Sequence, residues 1–386
     1  MGAGLPMSHN SRLRVLVVTR SYPSDDNLYQ YPFVHRRVLA YQGHGHEVAV
    51  FRPSDVAGQH RFDGVTCRSG GRDALTALAD EWKPDVIAVH GFSEALWEAL
   101  EPLAGRFPIR AWLHGSEIPG IARFKAQNDG DERERASAMH ALERRNSFWQ
   151  RFLAEPPARF GLIFVSNSAA ELAREDWGDL LQHWAVIHNP IDTQLFGYQP
   201  KLADDRFNIL MIRPFDSYGY GNDMAAEAIR ILSSRDGFDQ LRFTIVGDGP
   251  LFDSTVAPIR NIPNVHLDRR FLTQPQIANL HRDNGIFLVP TRIDTQGVSR
   301  DEAMSSGLVP VTNAAGAVPE FVDDVCAALA PANDTGAIAE GLWEMVQDAG
   351  LFCRRSAAAA HRVRRQSCKD IVIPQELDLL GSAAHG

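Results

Sequence analysis

The stretch Pro290 to Pro310, PTRIDTQGVSRDEAMSSGLVP, holds the densest set of residues able to do chemistry. An apolar strand ends at Val289 and Pro290, a loop with Gly297 follows, and a helix is expected from about Ser299. The first turn of such a helix has backbone N–H groups without partners inside the helix, and the helix dipole adds to their pull on anions. Gly297 lets the backbone approach a ligand closely. Asp294, in the loop, and Glu302, one turn into the helix, are carboxylates that can accept from paired hydroxyls. Spaced across a phosphate-binding turn, two such groups can hold hydroxylated moieties on either side of a diphosphate. The plainer reading makes Asp294 the cap of a turn and Glu302 a surface helix residue, and spacing alone does not separate the two.

Other residues carry weaker signals. Gly247-Asp248-Gly249 closes a strand as a fragment of a dinucleotide fingerprint whose remainder is missing, so it reads as a turn, preferably one lining a nucleotide pocket. Gly219-Tyr220-Gly221 reads as a flexible loop before a helix capped at Asn222-Asp223. His114, at a strand end, is a satisfied structural histidine or a site residue; His35, His44, His46, His90 and His188 take the structural reading, with His90 and His188 candidates to border a cleft. Asp129 and Asp131 have the spacing of a metal motif but lie in a charged run, and no metal is expected.

The elements that position these residues alternate. RVLVVT (Arg14 to Thr19), EVAVF (Glu47 to Phe51), DVIAVH (Asp85 to His90), IRAWLH (Ile109 to His114) and GLIFVS (Gly161 to Ser166) are continuous apolar runs, the mark of strands covered on both faces in a parallel sheet. Helical periodicity separates them at Phe33 to Gln42 and Ser93 to Leu103. The pattern restarts at Asn208 to Ile212, Leu241 to Val246, Val265 to Leu267, Ile286 to Pro290 and Val309 to Thr312, with helices at Asp223 to Ser233, Gln274 to Arg282 and Ser299 to Ser306. This predicts an α/β protein of two doubly wound parallel-sheet domains facing a cleft. The domains are expected at 1–195 and 196–360, with a tail at 361–386 forming a helix that returns to the first. The charged segment 122–157 breaks the alternation. It is read as solvated helix, or, given Arg144, Arg145 and Arg151 around Phe148, Trp149 and Phe152, as an insertion facing an acceptor or a membrane.

Composition narrows the partners. The 386 residues are 44% hydrophobic and 23% charged, enough for two solid cores. A net charge of −9 argues against nucleic acid and against broad attachment to anionic lipid. The four cysteines form no C-x-x-C pair and read as reduced thiols; with no apolar stretch of export-signal length in the first ten residues, a cytoplasmic protein is expected, with at most peripheral contact at the inner membrane face.

The window resembles the signature of glycosyltransferase family 4 and its retaining relatives of the GT-B fold. That pattern runs acidic residue, Gly-Phe-Gly, apolar residues, Glu-Ala-Met, a small residue, Gly and Pro-Val; here stand Asp294, Thr295-Gln296-Gly297, Val298, Glu302-Ala303-Met304, Ser305-Ser306-Gly307 and Pro310-Val311. Ala315-Gly316-Ala317-Val318-Pro319-Glu320 is similar to the family's next loop. Gly45-His46-Glu47-Val48, His114-Gly115, Ser166 to Ser168, Asn189-Pro190-Ile191-Asp192 and Val246-Gly247-Asp248-Gly249-Pro250 follow in family order, so the resemblance spans about residues 14–330.

The resemblance implies a glycosyltransferase moving a hexose-type sugar from a nucleoside-diphosphate sugar, UDP by family habit, to an acceptor hydroxyl with retention of configuration. The acceptor is a glycan, a lipid-linked sugar or a small molecule, as in polysaccharide, glycolipid or glycosylated-metabolite synthesis, and no cofactor beyond the donor is expected. By the same resemblance Glu302 binds the ribose hydroxyls, Asp294 the transferred sugar, and the backbone of Gly297, Val298 and Ser299 the diphosphate. Gly247 lines the pocket, Arg213 neutralises the phosphates, and His114 stands near the reaction centre. The sequence departs from the family at Tyr218, where a phosphate-binding lysine is usual, at Asp294 in place of Glu, and at Ser21 to Pro32 in place of a Gly-Gly loop; Arg292 or Arg300 is left to supply the second positive charge. These departures keep open an alternative, a non-catalytic nucleotide-sugar-binding subunit of another enzyme.

Overall fold

Strand follows helix through nearly the whole chain in the computed structural model, which describes residues 12–121 and 132–386. The chain divides into two compact units, Met1–Ile187 with Val372–Gly386, and His188–Ile371.

The first unit runs β1 (Arg14–Thr19), α1 (Pro32–Gly43), β2 (Glu47–Pro53), β3 (Gly58–Phe62), β4 (Val65–Gly70), α2 (Arg72–Trp82), β5 (Val86–His90), α3 (Glu94–Ala104), β6 (Ile109–Leu113), α4 (Glu132–Ala154), β7 (Phe160–Phe164), α5 (Asn167–Trp177) and β8 (Trp184–Val186). Its sheet has the order β3-β4-β2-β1-β5-β6-β7-β8 and is parallel except where β3 pairs antiparallel with β4. Alternate residues of β1 serve opposite faces, as strand geometry demands. Leu16 and Val18 join Ile87, Val89 and the helical Leu96, Leu100 and Trp149 in one core, while Val15 and Val17 join Val86, Ala88, Trp112 and the α1 residues Val34 and Val38 in another.

The second unit runs β9 (Asn208–Ile212), α6 (Asn222–Leu232), β10 (Arg242–Val246), α7 (Phe252–Val256), β11 (Val265–Asp268), α8 (Gln274–Asp283), β12 (Ile286–Leu288), α9 (Val298–Ser305), β13 (Val309–Asn313), α10 (Val318–Phe321), β14 (Ala328–Ala330), α11 (Thr335–Gln347) and α12 (Ala349–Gln366). The strand order is β11-β10-β9-β12-β13-β14, every pair parallel. Ile209, Met211, Phe243 and Ile245 pack with α6 and α11 on one face; Leu210, Ile212, Phe287 and Val289 pack with Ile277 and Ala303 on the other. This unit takes in the chain from His188 because Asn189 and Phe196 are built into it: Gln296 bridges the backbone of Asn189, and the Ser305 hydroxyl donates to the Phe196 carbonyl at 2.7 Å. The break drawn above at 195/196 therefore falls inside this packing. The last helix, α13 (Lys369–His385), contributes Val372, Ile373 and Leu380 to the first unit's core.

Each sheet has one point where the chain reverses the direction in which it adds strands. In the first unit it lies between β1 and β5, in the second between β9 and β12. Beyond the carboxyl ends of such a strand pair no crossover covers the sheet, which leaves a crevice for a ligand.

The structure corrects several local expectations. Helix α6 is capped not by Asn222 but by Gly221 in the left-handed region (φ 67°); Asn222 is the first helical residue, buried, with its amide donating to the Pro214 carbonyl at 2.8 Å. Tyr218–Tyr220 forms a 3-10 turn, pinned by the Arg292 N–H on the Gly219 carbonyl, rather than a flexible loop. Phe148, Trp149 and Phe152 belong to the core, which removes the aromatic half of a membrane-facing insertion. Asp129 and Asp131 lie outside the described residues. No helix among the described residues is long and apolar enough to cross a membrane.

Candidate functional site

The second unit gathers most of the expected site residues at its reversal point. Strand β9 ends at Arg213, strand β12 leads into Pro290, and the Arg213 side chain reaches across to donate from Nη2 to the Pro290 carbonyl at 3.2 Å. Arg213 is buried, its guanidinium lies 5.6 Å from the Tyr220 ring centroid, and its Nε has no hydrogen-bond partner. Burial pulls its pKa below the ordinary value, and the negative charge of Asp294 opposes that pull. A buried cation with an unused N–H is suited to accept an anion as its partner.

Gly247 sets the backbone under Arg213. A Cβ at Gly247, with φ 159°, would lie 1.9 Å from the Arg213 carbonyl oxygen, so no other residue fits. The Phe215 N–H donates to the Asp248 carbonyl at 2.8 Å, locking the two turns together, and Asp248 is itself paired with Arg269 at 2.7 Å.

The loop from Thr291 to Gly297 is held from below. Asn313 brackets Thr291 with two hydrogen bonds at 2.8 and 2.9 Å. Asp294 accepts the Gln296 N–H on Oδ1 at 3.0 Å, so the turn-capping reading of this residue holds, while its Oδ2 stands 3.9 Å from Arg300 Nη1. Gly297 caps α9 in the left-handed region (φ 86°), and a Cβ there would come within 2.8 Å of both Asp294 Oδ2 and Arg300 Cζ. The first helical hydrogen bond is Asp301 N–H to the Gly297 carbonyl, which leaves the N–H groups of Val298, Ser299 and Arg300 outside the helix ladder. Gln296, between the expected glycine positions, is buried and bonds to Asn189 and Asp301.

Glu302 is not a surface residue: it is 3% exposed, on a helix whose neighbours Arg300 and Asp301 are each 1% exposed. A carboxylate is seldom buried without a paired group or a ligand to justify it. The two arginines expected to assist Arg213 are already engaged. Arg292 forks onto both oxygens of Asp223 at 2.7 Å, and Arg300 pairs with Asp301 at 2.8 Å while donating to the Gln296 carbonyl. Arg300 keeps one buried nitrogen, Nη1, without a hydrogen bond. Tyr218 is 58% exposed on the 3-10 turn.

His114 belongs to the first unit. It follows β6, its ring centroid lies 4.4 Å from that of Phe33, and its Nε2 is 3.0 Å from Nδ1 of His90. His90 is fully buried, and burial, then the neighbouring His114, hold its pKa well below the ordinary histidine value. The contact needs a proton on one of the two facing ring nitrogens. Sequence reading missed this partnership; its only trace is that His90-Gly91 and His114-Gly115 end strands adjacent in the sheet. The turn after His114 is tied down by Glu117, whose Oε2 accepts from the N–H groups of His114 and Gly115, both at 2.9 Å.

Comparison with known proteins bears on the fold. Residues 206–348, most of the second unit, match the family model described as "Glycosyl transferases group 1". Among solved structures, a sucrose-phosphate synthase from Thermosynechococcus elongatus is similar with a TM-score of 0.73 at 14% identity, over 96% of this chain and 99% of that one. The Anabaena protein HepE, in complex with UDP and glucose, is similar with a TM-score of 0.69 at 14% identity, over 96% of this chain and 100% of that one. A UDP-forming trehalose-phosphate synthase from Burkholderia xenovorans gives 0.65 at 14% identity, over 97% and 100% of the two chains. At these identities the likeness establishes the α/β fold with parallel sheets. A search of curated protein sequences finds no match.

Proposed function

We propose that the chain is a glycosyltransferase that takes a nucleoside-diphosphate sugar on its second unit and transfers the sugar to an acceptor hydroxyl. The observation that carries this is Arg213: a buried guanidinium with an unused N–H, beside Asp294, at the reversal point of a sheet that matches the group 1 family model.

Glu302 accepts from the ribose hydroxyls, the Gly297, Val298 and Ser299 backbone cradles the diphosphate, Arg213 offsets its charge, and Asp294 holds the sugar hydroxyls. His114 is the first unit's candidate for the reaction centre, on the resemblance alone. UDP is the proposed nucleotide, a choice supported by the UDP complex of the HepE structure. In the retaining course the bond from the anomeric carbon to the diphosphate oxygen breaks as the acceptor oxygen bonds on the same face. The acceptor proton passes to the departing diphosphate oxygen. Binding energy concentrated on the leaving group favours this reaction, because negative charge develops there. The proposed setting is cytoplasmic glycan, glycolipid or glycosylated-metabolite synthesis.

A panel of nucleotides and nucleotide-sugars in a thermal-shift assay, followed by proton NMR of the product anomer, tests the reading. A UDP-sugar that stabilises the protein and yields product of unchanged configuration supports it; an inverted product removes the retaining course.

The engagement of Arg292 and Arg300 with carboxylates, together with Tyr218 in the lysine position, favours a second reading, a binding subunit without turnover. Pure protein that binds UDP but neither transfers nor hydrolyses any donor would select it.

A further inference from the structure

The first unit has a cavity of about 620 Å³ at the end of its sheet opposite to His114. It lies where β6, β7 and β8 begin, lined by Arg110, Gly161 and Ala185 among others. His114 follows the far end of β6, roughly 13 Å away along an extended strand. A volume of this size suits a small-molecule ligand, since such sites occupy roughly 300–1,000 Å³.

Strand periodicity explains why there is a space. Arg110 is in register with Gly161, and Ile163 with Ala185, so Arg110, Gly161 and Ala185 share the face on which Ile163 packs with Trp112 and with Leu380 of α13. Gly161 has no side chain to fill that face, and Asp378, Leu379, Ser382 and Ala383 of α13 roof the gap. A Cβ at Gly161 would sit 3.4 Å from both Cδ and Nε of Arg110, so the stem of that arginine lies across bare backbone.

Two guanidinium groups meet here without an acid. Arg110 Nη1 donates to the carbonyls of Ile109 and Arg159, each at 2.9 Å, and Arg159 Nη2 donates to the Ala383 carbonyl at 3.1 Å. These contacts order the two side chains, and Arg159 thereby ties down a carbonyl in the last turn of α13. They leave Nε and Nη2 of Arg110, and Nε and Nη1 of Arg159, without a partner among the described residues. Asp378 is the one acid in the lining, and it forms an ion pair with neither arginine. Burial, and then the charge of Arg159, pull the Arg110 pKa below its ordinary value, so the two cations repel each other. Neutral carbonyls do not cancel that repulsion, whereas an anion between the two forks does.

We propose that this cavity binds a phosphate dianion, held by the free N–H groups of Arg110 and Arg159, with the Ser382 hydroxyl and His183 beside it. The ligand bridges the sheet and α13. Nothing in this assignment depends on the function proposed above. Inorganic phosphate and the phosphate of a small organic monoester offer the same chemistry.

The whole chain is titrated calorimetrically with inorganic phosphate, glucose 6-phosphate and glucose. Binding of at least one of the first two, and not of glucose, is expected. The tighter of the two phosphate ligands names the source, free ion or ester. Arg159→Gln should weaken that binding about tenfold or more, because charge-assisted hydrogen bonds to the phosphate are lost. Ser382→Glu carries a carboxylate into the cavity, where it takes the place of the anion. In phosphate-free buffer this variant should melt at a higher temperature than Ser382→Gln, which has the same length and no charge, and it should no longer bind phosphate. If the backbone carbonyls satisfy the arginines, the two Ser382 variants melt alike. That result overturns the proposal, as does the absence of binding by both phosphate ligands, or binding that Arg159→Gln and Ser382→Glu leave unchanged.

Discussion

Arg213→Ala removes one buried guanidinium from the reversal point of the second unit's sheet. In the free protein that group is desolvated, makes one 3.2 Å bond to the Pro290 carbonyl and leaves Nε bare, so its loss should not lower the melting temperature much. In the complex the diphosphate would supply the missing acceptor. One charge-assisted hydrogen bond, worth about 1.5–3 kcal/mol, would then be lost. The dissociation constant for UDP should rise on the order of 10- to 100-fold. Uridine, which lacks the phosphates, should bind wild type and variant alike. Calorimetric titration of UDP and uridine into both proteins measures the two effects together. A UDP affinity unchanged by the substitution would remove Arg213 from the donor site. A uridine affinity that falls in parallel would show that the loss is a general collapse of the crevice.

Three further outcomes follow from the same geometry. Glu302→Gln should weaken uridine and UDP by the same factor, roughly tenfold, because the ribose is common to both; a loss confined to UDP would contradict the ribose assignment. Gly297→Ala should cost about 1–2 kcal/mol of stability from the left-handed backbone alone, and should further reduce UDP affinity because the new Cβ displaces Asp294 and Arg300. Urea unfolding and UDP titration of the variant check both parts. Unfolding stability should fall on acidification, because burial in the second unit holds the His281 pKa near 3 against an ordinary 6.5. The unfolded chain then binds the extra proton first, so the contribution is intact above pH 6.5, decreases as pH falls towards 3, and is about 2 kcal/mol smaller by pH 5. His281→Gln should flatten urea-derived stability over that window, and an equal slope in both proteins would assign the acid sensitivity elsewhere.

Most of the parallel strands could be read directly because a strand covered on both faces must be apolar at every position. RVLVVT, DVIAVH and NILMI show this, and each lies at the centre of its sheet. The reading failed where that constraint relaxes. GQHRF in β3 is mostly exposed on an edge strand and carries no apolar run, while β8 and β14 close sheet edges with only three residues each, too short for their apolar residues to stand out as strands. In the site, Asp294, Gly297 and the start of α9 were legible because they sit within a few residues of each other. The burial of Glu302, the capture of Arg292 by Asp223 and the pairing of His90 with His114 were not, since each depends on chain segments brought together only by the fold.

The first unit's core includes side chains from the last helix, and at that seam Glu376 lies wholly buried, accepting from Arg37 Nε at 2.9 Å and from the Tyr41 hydroxyl at 2.6 Å. Residues 37 and 376 are separated by the entire second unit. During synthesis the first unit's sheet can pair its strands long before residue 376 leaves the ribosome, yet the Arg37 guanidinium then has no counterion in an otherwise apolar seam. The second unit, contiguous from His188 to Ile371, is free to complete its own packing first. The order of maturation is thus inverted relative to the order of translation: the amino-terminal unit finishes last. A nascent chain stalled before α13 should expose the part of α1 that bonds Glu376, leaving Arg37 and Tyr41 uncovered.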